Sequence, residues 1–121
     1  MVAASELRVL IFEDEYLLAS DLSDQVEQLG AQVAGLHPRL PDPVTSGGAA
    51  SDTANAAVID IKLFDQTAFA LARQLRQRGY ALAFCSGYTR RDLPDDLIGL
   101  PFFTKPANAG DIVSALCRQL P

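Results

Sequence analysis

Four short stretches of this chain carry side chains with usable chemistry: Glu13-Asp14-Glu15, Asp60, Ser86 and Lys105-Pro106. The first three lie at or just past the ends of apolar runs that read as strands, and Lys105 closes a fourth such run. In an open parallel sheet the carboxyl ends of neighbouring strands line one crevice, so residues distant in sequence meet there. The expected product is a site of carboxylates, one hydroxyl and one ammonium. Carboxylates gathered without histidine or cysteine suit a hard divalent cation such as Mg2+, which prefers oxygen ligands and keeps several waters. Ser86 and Lys105 then suit a phosphoryl oxygen, as neutral donor and as cation.

The elements that must position these residues alternate along the chain. Leu7 to Phe12 is an apolar run broken only by Arg8, as in a strand buried on both faces of a parallel sheet. Leu18, Leu22, Val26 and Leu29 mark a helix face that Gly30 stops, and a short strand follows near Gln32 to Leu36. Pro38 to Thr53 holds three prolines and the Gly47-Gly48 pair, which predicts a shortened second helix between loops. Ala56 to Asp60 reads as a strand, Ala68, Ala72 and Leu75 as a helix ended by Gly79, and Ala81 to Cys85 as a strand. Gly87 to Pro101 is again rich in breakers and leaves room for at most a short helix around Arg91 to Ile98. It has few apolar residues to anchor it. Phe102 to Thr104 is the last strand. The last helix is the clearest, with Asn108 as cap, Asp111 near its positive end and a stripe of Ala109, Ile112, Val113, Leu116 and Leu120. The pattern is α/β, a (βα)5 doubly wound, open, parallel five-stranded sheet with helices on both faces.

Composition narrows the function classes. A chain of 121 residues with 49% hydrophobic content builds one core, so residues 1–121 read as one domain with no room for an output domain. A formal net charge of −5 argues against a nucleic-acid partner, which needs basic patches for phosphate contacts. Two cysteines, Cys85 and Cys117, form neither a disulfide framework nor a metal pattern, which fits a reducing, cytoplasmic setting. No apolar run reaches the length of a membrane span, and the N-terminus lacks the order of a signal peptide. His37, between Leu36 and Pro38, has no partner spacing and reads as a solvent-facing loop residue.

In their order and placement on successive strands, Glu13-Asp14-Glu15, Asp60, Ser86 and Lys105-Pro106 resemble the receiver domain of bacterial two-component response regulators, a flavodoxin-like fold. The resemblance covers essentially the whole chain. Phe84-Cys85-Ser86-Gly87-Tyr88 also resembles, in part, a subfamily of single-domain receivers named for a Phe-Ala-Thr-Gly-hydrophobic-Tyr motif; Gly87 favours it, whereas Cys85, Ser86 and Thr89 depart from its lettering. The resemblance implies a stand-alone phosphoacceptor that takes a phosphoryl group from a histidine kinase or a histidine phosphotransfer protein and signals by protein contact. It would be no enzyme beyond its own phosphorylation and dephosphorylation. Asp60 would be the phosphoacceptor, and Mg2+ would be held by Glu13, Asp14, Asp60 and the backbone carbonyl of Lys62. Lys105 would pair with Asp60 and then with the phosphoryl group, Ser86 would donate to that group, and Phe102 stands where many receivers keep a switch aromatic. Lys62 and Tyr88 would shield the phosphoryl from water.

Two other readings use the same residues. Dehalogenase-like phosphatases also pair a strand-end aspartate nucleophile with Mg2+, Ser/Thr and Lys, but they carry an acid two residues after the nucleophile, where this chain has Lys62. A receiver-like docking module without phosphorylation would not need the intact acidic set or Lys105. Simple capping by Asp14 needs one such residue and not three in a row.

Overall fold

The computed structural model describes residues 1–37, 53–63, 66–87 and 89–121. The expected second helix falls on residues outside these. Five strands form one parallel sheet: β1 (Arg8–Phe12), β2 (Gln32–His37), β3 (Ala56–Ile59), β6 (Ala81–Ser86) and β7 (Phe102–Thr104), in the order β2-β1-β3-β6-β7. The (βα)5-type sheet is therefore present, with its order reversing at β1, so the crevice between the carboxyl ends of β1 and β3 is a topological switch point. A short antiparallel hairpin, β4 (Lys62–Leu63) with β5 (Gln66–Thr67), follows β3.

Alternation along the strands builds two cores. Leu10 and Phe12 of β1, Ala57 and Ile59 of β3, and Leu82 and Phe84 of β6 face one side, where α2 (Phe69–Gln77) contributes Leu71, Ala72 and Leu75. Val9, Ile11, Ala56, Val58, Ala81 and Ala83 face the other. There Val26 of α1 (Tyr16–Gln28) and Ile112, Val113 and Leu116 of α3 (Ala109–Gln119) pack on them. A period of two with both phases apolar is what a strand covered on both faces requires. Gly30 and Gly79 end α1 and α2 at φ of +98° and +84°, the left-handed conformation that costs glycine least. Asn108 caps α3, its Oδ1 accepting from the Asp111 N–H at 3.1 Å.

Several expectations need adjustment. Of the expected face of α1, Val26 is buried and Leu22 packs in part on the core, but Ala19 and Ser23 complete the buried stripe while Leu18 and Leu29 are 40% and 45% exposed, so the helix is rotated from the expected face. Between β6 and β7, where at most a short helix is expected, the described residues hold one 3-10 turn, Arg90–Asp92, followed by turns. Pro94 gives the reason: it lacks an N–H and forces the residue before it out of the helical region, and Leu93 is extended at φ −83°, ψ 141°. That segment is also well anchored. Leu93 and Leu97 are buried in the α2-side core, Asp96 accepts from Arg73 at 2.8 and 3.1 Å, and the Arg90 guanidinium donates to the carbonyls of Ile98 and Leu100.

His37 is not a loop residue. It ends β2 and stacks on Phe12, ring centroids 4.9 Å apart and planes 17° apart. Burial holds its imidazole below the ordinary value of 6.5, because the charged form is poorly hydrated there. Since the folded state resists the proton, this residue's contribution to stability is present above about pH 6.5 and is lost as pH falls below it. As the only histidine in the chain, it can be followed by NMR without ambiguity. Its midpoint is expected below that of a short peptide containing the same residue; an equal or higher midpoint would contradict the packing against Phe12.

Candidate functional site

The carboxyl ends of β1, β3, β6 and β7 bring the sequence-predicted residues together. Asp60 directly follows β3, the central strand, and its N–H donates to the Phe12 carbonyl of β1 at 2.9 Å. Glu13 directly follows β1, and its N–H donates to the His37 carbonyl at 3.1 Å. Ser86 is the last residue of β6, and its carbonyl accepts the Lys105 N–H at 3.0 Å, which fixes the residue after β7. Lys105–Pro106 is a cis peptide. Backbone pairing, rather than side-chain attraction, thus sets the positions of all four groups.

Asp60 is buried and both of its oxygens are engaged. Ser86 Oγ donates to Oδ1 at 2.8 Å, and Lys105 Nζ donates to Oδ2 at 2.8 Å. Lys105 Nζ also bonds Glu13 Oε1, whose second oxygen, Oε2, accepts the Glu15 N–H at 3.1 Å. Asp14 is half-buried, and Glu15, at the N-cap position of α1, makes no side-chain cap hydrogen bond. One carboxylate oxygen from each of Glu13, Asp14 and Asp60 lies within 4.8 Å of the others.

Charge balance decides what this arrangement favours. Three carboxylates face one ammonium, 1 − 3 = −2, in a largely buried crevice. Lys105 gives the direct sign of the excess: burial works against its charge, but the hydrogen bonds and charges of Asp60 and Glu13 outweigh burial and raise its pKa well above the ordinary lysine value. Glu13 is pushed up from the usual carboxylate range, chiefly by burial, with Asp60 adding repulsion and Lys105 opposing. A divalent cation would cancel the excess of −2. Oxygens on one octahedral Mg2+ at about 2.1 Å stand roughly 3–4 Å apart, so small side-chain adjustments fit these three to one ion. The donors are all oxygen. Cys85, on the opposite face of β6 from Ser86, is half-buried with its thiol pushed up to about 11 by burial, so it offers no thiolate near neutral pH.

The remaining expectations fare unevenly. Lys62 opens β4 with its side chain exposed, and its N–H lies against Asp60 Oδ1 at 3.4 Å. Tyr88 falls outside the described residues. Phe102 is half-buried between Phe84, 6.4 Å away between centroids, and the Arg90 guanidinium, 5.9 Å above its ring. That Ser86 already contacts Asp60, and that Arg90 ties the segment after it to β7, left no trace in residue spacing, because both are tertiary contacts.

No family model matches the chain and no curated protein matches it. Solved structures do. The REC domain of the response regulator PhyR from Erythrobacter litoralis is 26% identical, with 93% of this chain and 88% of that one covered and a TM-score of 0.69. The response regulator PhyR from Brucella abortus is 27% identical at a TM-score of 0.68; the match covers 96% of this chain, which spans about half of that protein, 49%. A response regulator protein from Burkholderia pseudomallei, solved with a phosphorylated aspartic acid, a calcium ion and citrate, is 20% identical, with 91% and 66% covered and a TM-score of 0.72. No helix among the described residues is long and apolar enough to cross a membrane. In fold the chain is similar to response regulator receiver domains, the class of the solved structures that match it over most of its length.

Proposed function

We propose that residues 1–121 act as one receiver domain that accepts a phosphoryl group on Asp60 from a histidine kinase or a histidine phosphotransfer protein, and signals by protein contact in the cytoplasm. The observation that carries this reading is the pair of 2.8 Å bonds from Ser86 and Lys105 to the two oxygens of a buried strand-end aspartate, with Glu13 and Asp14 beside it. The Burkholderia protein of the same fold, with its phosphorylated aspartic acid and bound calcium ion, supports it.

One oxygen of Asp60 attacks phosphorus, a P–O bond forms, the P–N bond to the donor histidine breaks, and the imidazole leaves with the bonding electron pair and takes up a proton. Lys105 moves its bond from Asp60 to a phosphoryl oxygen, and Ser86, already at 2.8 Å, exchanges one acceptor for another. Mg2+ would be held by Glu13, Asp14 and Asp60 and by the backbone carbonyl of Lys62. When bound, it supplies charge neutralisation on the phosphoryl oxygens. The exposed stem of Lys62 flanks the approach of water to phosphorus and slows hydrolysis.

The test is phosphoryl uptake from acetyl phosphate and from host histidine kinases, with Mg2+ and with EDTA. Uptake of one group per chain that EDTA suppresses is expected; labelling indifferent to EDTA would contradict the reading. Phosphorylation is further expected to change amide hydrogen exchange in Gly87–Phe103 more than in α1, because Ser86 leads directly into that segment and Arg90 and Phe102 close it. Equal changes in both regions would remove this segment from the switch.

A further inference from the structure

A cavity of about 330 Å3 lies on the α1 and α3 side of the sheet, next to the acidic site. Its apolar wall comes from three elements and their approaches: Leu18 and Leu22 of α1, Cys85 of β6, and Ala107 and Ile112 around the start of α3. The rotation of α1 that leaves Leu18 40% exposed turns this side chain to the cavity. The volume sits at the low end for ligand pockets, enough for a small organic molecule.

Charge selects among small molecules. Glu13, Asp21 and Lys105 line the cavity, giving 1 − 2 = −1. Lys105 is already bonded to Glu13 and Asp60, so little of its charge is left to attract an anion. Asp21 is exposed, and Gln25 donates to its Oδ2 at 2.8 Å, which holds the carboxylate on the same helical stripe as Leu18 and Leu22. An anion would meet two carboxylates. A cation with an apolar body meets an apolar wall and a positioned carboxylate.

We propose that this cavity binds a small amphipathic cation, an alkyl- or arylammonium ion, with its apolar body against Leu18, Leu22 and Ile112 and its ammonium at Asp21, and that occupancy regulates phosphoryl uptake through Lys105. The binding half stands on the cavity alone; the regulatory half rests on the phosphoacceptor reading. The Lys105 side chain lines the cavity while its Nζ holds Asp60. A molecule packed against it favours the arrangement seen here and opposes the transfer of Lys105 to a phosphoryl oxygen. By linkage, phosphorylation in turn weakens ligand binding.

The experiment titrates the metal-free, unphosphorylated chain with n-hexylammonium, 1-hexanol and hexanoate and follows backbone amide shifts by NMR. Saturable shifts at Leu18, Leu22, Ala107 and Ile112 are expected, with hexylammonium about fivefold tighter than hexanol, the worth of one solvent-screened ion pair, and hexanoate weakest. Asp21→Asn, at an exposed position, should erase the preference for the amine, and Leu18→Trp should weaken all three probes by filling the mouth. Absence of saturable shifts, or hexanol or hexanoate binding as tightly as hexylammonium, overturns the site. In the second arm, saturating hexylammonium should slow uptake from acetyl phosphate severalfold in the parent and not in Leu18→Trp; an unchanged rate overturns the regulatory half. A chain that takes up no phosphoryl group at all contradicts the phosphoacceptor reading and the regulatory half together, while the binding result, repeated in Asp60→Asn, stands separately.

Discussion

Asp60→Asn is expected to reduce phosphoryl uptake to background while leaving the fold intact. The amide keeps the shape of the side chain and can still accept from Ser86 Oγ or Lys105 Nζ, but it has no carboxylate to attack phosphorus. It also removes one negative charge from a site carrying an excess of −2, so thermal stability in EDTA should hold or rise. Both readouts matter. Lost uptake with a lowered melting temperature would point to a damaged fold, and full uptake would remove Asp60 from the role assigned to it.

Lys105→Met is expected to slow uptake by about 10²-fold, the typical effect of deleting one donor to a developing oxyanion. Methionine preserves much of the apolar stem and removes the ammonium that contacts both Asp60 and Glu13. Three clustered carboxylates then lack a cation, so the variant should be less stable than the parent in EDTA, and Mg2+ should raise its melting temperature by more than it raises the parent's. An equal or smaller Mg2+ effect in the variant would mean that ammonium and metal do not answer the same charge excess.

Much of this site was legible in the sequence because strand ends are legible. β1, β3 and β6 are buried on both faces, so they stand out as short apolar runs, and the polar residue that ends each run must lie at the sheet's carboxyl edge. Glu13, Asp60 and Ser86 follow from that rule without knowledge of any side-chain contact. What escaped depends on contacts between elements. The two-residue strands Lys62–Leu63 and Gln66–Thr67 are too short to show a period. The rotation of α1 buries Ala19 and Ser23 beside Val26, which the spacing of leucines along the helix does not reveal. The order of His37 is hidden from its neighbours in sequence because it comes from Phe12, twenty-five positions earlier. In Gly87–Pro101 the breakers shorten helix as their types require, but the buried Leu93 and Leu97 show that irregular backbone can still be firmly anchored.

The central claim is most directly tested by locating the phosphoryl group. The chain would be incubated with acetyl phosphate and Mg2+, its intact mass measured, and the acyl phosphate reduced with borohydride before peptide sequencing by mass spectrometry. One phosphoryl group per chain, with residue 60 recovered as homoserine, is the expected result. Reduction at Glu13 or Asp14 in place of Asp60, or a stable phosphoester on Ser86, would contradict it.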